Sequence, residues 1–255
     1  MPTAPVNGIE IYYEIEGVGA PIVFCHGAGG NHMSWWQQVP FFSTHYRCVT
    51  FDHRGFGRSL NPPGAPGAIA FVDDLAGLLD SLRIEKVYLV AQSMGGRTAL
   101  GLTARQPDRV KALVMAGTIG NIAHDGLRLK KREANRHLPK NRLEVALSPR
   151  VAKEKPQWAY LYKSIQMLNP SKPPQFFFGE RALSIAPEKL GQIAMPVLFI
   201  VGEEDPIVPP DLAEMACGLL PKARLLRVPR AGHSVYFEKP DAFNSVVLDF
   251  LAQAG

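Results

Sequence analysis

The chain lacks most of the features that would mark a stapled, spanning or repetitive protein. It has only three cysteines, Cys25, Cys48 and Cys217, an odd number with no C-x-x-C pair. That excludes a disulfide scaffold, and the apolar surroundings of all three predict buried free thiols in a reducing compartment. No apolar run approaches the roughly 18 residues that a membrane-spanning helix needs. The opening residues carry no basic stretch followed by an apolar one, so no secretory leader is expected and a cytoplasmic location is the default. No H-E-x-x-H, paired cysteine motif or acidic calcium loop occurs, so no metal is expected. Gly55-Phe56-Gly57 has no third glycine at the dinucleotide-binding spacing, and no cofactor is expected. There is no internal repeat and no low-complexity tract. The 23 glycines and 22 prolines are too few and too scattered for a disordered or collagen-like chain.

What is present is a 255-residue chain, 46% hydrophobic and 20% charged. A chain of this length buries roughly three quarters of its unfolded surface in its own core. Short runs rich in β-branched residues predict buried strands at 22–25, 47–51, 87–91, 112–116, 197–201 and 224–228. Helical patterns near 35–44, 68–83, 95–106, 209–219 and 240–252 lie between them. Continuous apolar strands alternating with helices predict a mostly parallel sheet flanked by helices, an α/β fold. The alternation of residues 9–15 predicts an antiparallel edge strand of a hairpin.

The pattern breaks between about 120 and 187. Trp158, Leu161, Tyr162, Ile165 and Leu168 recur at helical spacing, and Pro139, Pro149, Pro156, Pro170, Pro173 and Pro174 cut the stretch into short helices. This predicts a core of residues 1–119 and 188–255, with residues 120–187 as a helical lid inserted between sheet strands. The insertion also accounts for the charge. The whole chain carries a formal +5. Residues 121–187 contain 13 basic and 5 acidic residues, and the remainder 15 basic and 18 acidic. The excess therefore belongs to the lid, densest at Arg128-Leu129-Lys130-Lys131-Arg132. One reading is a solvated helix face; the other is steering of an anionic substrate toward the site. No recognition motif accompanies the charge, so nucleic acid is not an expected partner.

The chemistry centres on Ala91-Gln92-Ser93-Met94-Gly95-Gly96, which follows an apolar strand and precedes a helical stretch. A strand–turn–helix with small residues two before and two after a serine is the context of a nucleophile elbow. A glycine-rich helix start that merely packs closely would look the same. Two further sites favour the elbow. A serine nucleophile needs a base, and the base an orienting carboxylate. The strand at 197–201 runs into Gly202-Glu203-Glu204-Asp205-Pro206, and the strand at 224–228 into Ala231-Gly232-His233-Ser234. Residues just past parallel strands face the ligand edge of a sheet. Glu203 and Glu204 compete as the acid but open the turn, which favours Asp205. His32, His45, His53, His124 and His137 do not follow a strand downstream of an acid, which favours His233. The loop His26-Gly27-Ala28-Gly29-Gly30 follows the first buried strand. Its glycines let backbone N–H groups approach a developing oxyanion, with the Met94 N–H as the second donor. His26 itself reads as a hydrogen-bonding structural residue.

These segments, with Asp52-His53-Arg54-Gly55-Phe56-Gly57-Arg58-Ser59 and Pro107-Asp108-Arg109-Val110, resemble the α/β-hydrolase superfamily over nearly the whole chain. They look most like small bacterial serine esterases, enol-lactonases and carbon–carbon-bond hydrolases. The resemblance implies the α/β-hydrolase fold, Ser93 as nucleophile, His233 as base, Asp205 as orienting acid, and Ala28 and Met94 as backbone oxyanion donors. Ala91 stands where the family usually has glycine. Relatives that act as dehalogenases or epoxide hydrolases carry aspartate at the elbow, so Ser93 favours acyl transfer. The expected partner is then a small-molecule ester or lactone. A carbon–carbon hydrolase also uses serine, but there the residue after the catalytic histidine is typically Trp, where this chain has Ser234. A slow-turnover small-molecule receptor with the same triad is the third reading. Trp35 and Trp158 are the first candidates for lining the substrate pocket.

Overall fold

The computed structural model describes residues 2–179 and 183–255. Among the described residues there are eight strands, β1 (Thr3–Val6), β2 (Ile9–Glu16), β3 (Pro21–Cys25), β4 (Arg47–Phe51), β5 (Val87–Gln92), β6 (Val110–Ala116), β7 (Val197–Gly202) and β8 (Ala223–Val228). They form one sheet in the order β1-β2-β4-β3-β5-β6-β7-β8. Strands β3 to β8 pair in parallel, whereas β2 runs antiparallel to both β1 and β4. The strand predicted over residues 9–15 is therefore present but is not the edge. β1 covers it, and Pro5 in β1 pairs opposite Glu10. Proline is tolerated there because an edge strand has one side with no ladder to join.

The α-helices are α1 (Val39–Phe42), α2 (Phe71–Ser81), α3 (Met94–Arg105), α4 (Asp125–Ala134), α5 (Pro149–Glu154), α6 (Pro156–Met167), α7 (Pro187–Leu190), α8 (Pro210–Cys217), α9 (Val235–Glu238) and α10 (Pro240–Ala252). Proline opens five of the last six, where its missing N–H would be unpaired anyway. The helix expected near 35–44 is two pieces, a 3₁₀ turn at His32–Trp35 and the short α1. Among the described residues no helix is long and apolar enough to cross a membrane.

Alternation along each strand divides the core in two. Val23, Cys25, Leu89, Ala91, Leu113, Met115 and Phe199 point to one face and pack with α2, α3 and α8. Ile22, Phe24, Tyr88, Val90, Ala112, Val114 and Leu198 point to the other and pack with α1 and α10. Both faces being covered explains why these strands read as continuous apolar runs. Cys25 and Cys48 are buried and Cys217 is half-buried, all three as free thiols. Helices α4, α5 and α6 lie between β6 and β7, within the segment expected to form the lid.

Candidate active site

Strands β3 and β5 are neighbours, with Cys25 opposite Ala91. The loops that leave their C-terminal ends therefore emerge side by side. One carries Gly27 to Gly30 and the other Ser93. Strands β6, β7 and β8 follow in order beyond β5, so the loops bearing Gly117, Asp205 and His233 reach the same edge.

Ser93 sits at the turn between β5 and α3 with φ 50° and ψ −112°. Such backbone costs on the order of 1–3 kcal/mol in a non-glycine residue and persists only where packing fixes it. Gly95 supplies part of that packing. A methyl group there would lie 2.1 Å from the Cys25 carbonyl oxygen, so α3 can approach β3 only with glycine at this position. Ala91, the departure from the family's usual glycine, is fully buried in the sheet core among Cys25 and Met115.

The three polar side chains expected to act together do meet. The Ser93 Oγ lies 2.9 Å from His233 Nε2, and His233 Nδ1 lies 2.9 Å from Asp205 Oδ2. The other carboxylate oxygen of Asp205 accepts the backbone N–H groups of Ile207 at 2.8 Å and Val208 at 2.9 Å. The carboxylate is thus held by its own loop with one oxygen left for the imidazole. That fixes the tautomer. Nδ1–H donates to Asp205, which leaves Nε2 unprotonated to accept the Ser93 hydroxyl. Asp205 and His233 are buried and Ser93 is half-buried at the floor of a cavity. Glu204 turns away instead, to an ion pair with Arg150 at 2.5 Å. Gly117, with φ 54°, abuts the backbone of the loop after β8, and a methyl group there would lie 2.7 Å from the His233 carbonyl oxygen.

The cavity above Ser93 holds about 510 Å³ and is lined in part by Ala28, Met94 and His233. Gly30 N–H closes a turn onto the Gly27 carbonyl at 3.0 Å, which curls the loop around Ala28. Met94 opens α3, where the positive end of the helix dipole favours an anion.

Under this floor His26 and His53 are fully buried and neutral. His26 Nδ1–H donates to the Gly27 carbonyl at 2.8 Å, and Nε2 accepts the His53 N–H at 3.0 Å. Burial lowers the His26 pKa to about 4 and that of His53 well below its ordinary value. Neither is suited to act as a base, in keeping with His26 as a structural residue. Nearby, Asp52 accepts the backbone N–H groups of His32 at 2.7 Å and Arg58 at 2.8 Å, fastening the Asp52–Ser59 loop. Arg54 in that loop makes a two-pronged buried pair with Asp74, 2.5 Å and 2.6 Å.

The two tryptophans expected in the pocket are elsewhere. Trp35 is fully buried against Phe24 and Tyr236, with ring centroids 5.1 and 4.6 Å away, and belongs to the core cluster those residues form. Trp158 stacks edge-on with Trp36 and Phe237 and lies under the Lys155 ammonium. Both indoles are taken up by packing against other aromatic rings. The cavity is lined instead by Thr118, Ile119, Leu143, Tyr162, Ile207 and Val208. Thr118 and Ile119 follow β6 directly, so the rule that placed Asp205 and His233 past their strands also points to them. Tyr162 comes from α6, and its hydroxyl is 2.9 Å from the Ser234 Oγ, beside His233. Burial raises its pKa to about 12, which keeps it a neutral hydroxyl. Among the described residues no group of three or more His, Cys, Asp or Glu side chains is arranged to hold a metal ion.

Comparison with known proteins gives the family of the chain. The profile of the alpha/beta hydrolase family matches residues 22–246. The chain is 32% identical to a provisionally named non-heme bromoperoxidase, BpoC, of Mycobacterium tuberculosis H37Rv, over 96% of its length and 98% of that protein. It is 30% identical to 2-hydroxy-6-oxo-2,4-heptadienoate hydrolase of Pseudomonas putida F1, over 96% of its length and 94% of that protein. Among solved structures, Est816, described as an N-acyl homoserine lactone degrading enzyme, superposes with a TM-score of 0.81 at 28% identity. The match covers 98% of this chain and 100% of Est816. The chain belongs to the alpha/beta hydrolase family.

Proposed function

We propose that this protein is a cofactor-free serine hydrolase that opens a carboxylic ester or lactone through an acyl-enzyme. The observation that carries the reading is the hydrogen-bonded chain from Ser93 through His233 to Asp205, 2.9 Å at each link, on the floor of a cavity. His233 Nε2 takes the hydroxyl proton as Ser93 attacks the carbonyl carbon. The backbone N–H groups of Ala28 and Met94 stabilise the oxyanion. Asp205 stabilises the imidazolium and keeps the ring oriented. The imidazolium then donates its proton to the leaving alkoxide, and the neutral imidazole activates water to release the acid. In this reading residues 120–187 act as the lid over the core of residues 1–119 and 188–255, and Tyr162 is the lid's contact with the catalytic histidine loop.

A carbon–carbon hydrolase is the second reading, favoured by the similarity to the heptadienoate hydrolase. Against it stands Ser234, whose hydroxyl is engaged by Tyr162, at the position that is typically Trp in those hydrolases. Ser93→Ala tests the shared serine step. It should abolish turnover of p-nitrophenyl acetate and butyrate while the protein stays folded; full residual activity contradicts the assignment. A panel of short esters, lactones and dienoate ring-fission products then separates the two substrate classes.

A further inference from the structure

A second hollow of about 800 Å³ adjoins the Ser93 cavity and shares Arg97, Ile119, Gly120, Lys131 and Arg142 with it. Its lining holds six cations: Arg97, Arg128, Lys131, Arg132, Arg136 and Arg142. No carboxylate lines it among the described residues. The cations come from three separate segments. Arg97 is on the first turn of α3, behind the nucleophile. Arg128, Lys131 and Arg132 are on α4, and Arg136 and Arg142 follow it in the chain. Positions 128, 131, 132 and 135 recur at i, i+3, i+4 and i+7, so α4 turns one face toward the groove. At 1.5 Å per residue that face runs about 10 Å.

Arg128, Arg132, Arg136 and Arg142 are exposed along the open side of this groove. Here Arg128 has an exposed partner in Asp125, but Arg132, Arg136 and Arg142 make no ion pair with any described residue. A single carboxylate is satisfied by one arginine fork. It would leave two of Arg132, Arg136 and Arg142 without a counter-charge. An arm with several negative charges spread along it would not.

We propose that the substrate handled at Ser93 carries, remote from its scissile carbonyl, an arm with two or more phosphate-type charges, and that this groove binds that arm. The proposal rests on the hydrolase reading above. It extends the substrate class to phosphorylated esters and to thioesters of a phosphorylated thiol. Water adds across the acyl C–O or C–S bond, giving the acid and the phosphorylated alcohol or thiol.

The test separates the groove from the chemistry. Pyrophosphate and ADP are titrated calorimetrically into the full-length wild type and Ser93→Ala, at low and high salt. The expected result is saturable one-to-one binding in both proteins, at least tenfold weaker at high salt because the attraction is screened. The charge-reversed Arg132→Glu/Arg136→Glu variant should bind at least tenfold more weakly, and Arg132→Lys/Arg136→Lys should restore binding. The kcat/KM ratio of acetyl-coenzyme A to p-nitrophenyl acetate should fall at least tenfold in the charge-reversed variant. ADP binding more tightly than pyrophosphate assigns a nucleotide-linked arm; equal binding assigns a simpler phosphorylated one. Absence of saturable binding, binding unchanged by charge reversal, or binding only to phosphatidylglycerol vesicles overturns the proposal. Ester turnover without pyrophosphate binding removes the groove and leaves the hydrolase reading; pyrophosphate binding without any hydrolysis does the reverse.

Discussion

Replacing Asp205 by asparagine changes the charge and one proton while leaving shape almost untouched. The Asp205 Oδ1 accepts two backbone N–H groups, from Ile207 and Val208. A carboxamide keeps those bonds only by turning its oxygen to them, which aims its NH₂ at His233. Nδ1 of the imidazole must then accept rather than donate, so the proton moves to Nε2. That nitrogen, 2.9 Å from Ser93, can no longer take the hydroxyl proton. The imidazolium also loses its counter-charge. In a serine triad the wrong tautomer lowers kcat by about 10⁴, or about 5.5 kcal/mol of barrier. Because both loop hydrogen bonds survive, the melting temperature should move by no more than a few degrees. Steady-state turnover of p-nitrophenyl butyrate, paired with a thermal melt, reads both quantities. A folded Asp205→Asn protein retaining activity within about tenfold of wild type would refute the reasoning, since an orienting carboxylate is then not needed.

Other expectations follow from the supports of the site. Arg54→Ala strands the buried Asp74 carboxylate, an uncompensated charge costing about 3–5 kcal/mol. A thermal melt should show a fall on the order of 10 °C for a chain of this size. His26 has a folded pKa of about 4 against an ordinary 6.5, because burial disfavours its charged form. Between those values the unfolded chain binds the proton and the folded one does not. Stability is therefore full above about pH 6.5 and declines as pH falls toward 4, by about 3 kcal/mol from His26 alone. His53 acts in the same direction. Urea melts between pH 7 and 4.5 should show this slope, reduced in His26→Gln; an equal slope in that variant contradicts the assignment. Gly117→Ala forces a methyl group against the His233 carbonyl and should displace the imidazole, lowering kcat about 100-fold with a smaller change in KM.

Much of this was written in local pattern. The six buried strands are legible because both sheet faces are covered, which makes their residues uniformly apolar. Ser93, Asp205 and His233 are legible because each follows a strand and parallel strands end at one edge. The elbow carries its own signal in Gly95, whose absent methyl lets α3 meet β3. The rest depends on partners distant in sequence. β1 is short, and its Pro5 argues against a strand until the edge position of β1 is known. Trp35 and Trp158 look like pocket residues by type, but aromatic neighbours from three other segments claim them. Tyr162 reads as a helix-face apolar residue, and only the meeting of α6 with the loop after β8 gives its hydroxyl a partner. The positive charge of residues 121–187 is countable in the sequence. Which of those cations turn toward Ser93 is not, because that depends on how α4 docks against α8.

The central claim is that Ser93, activated by His233, is the group that becomes acylated. Stoichiometric labelling with a fluorophosphonate, followed by peptide mass spectrometry, tests it most directly. One adduct per chain, located on Ser93 and appearing in step with loss of esterase activity, is the predicted result. An adduct on another residue, or activity that survives complete labelling of Ser93, would contradict it.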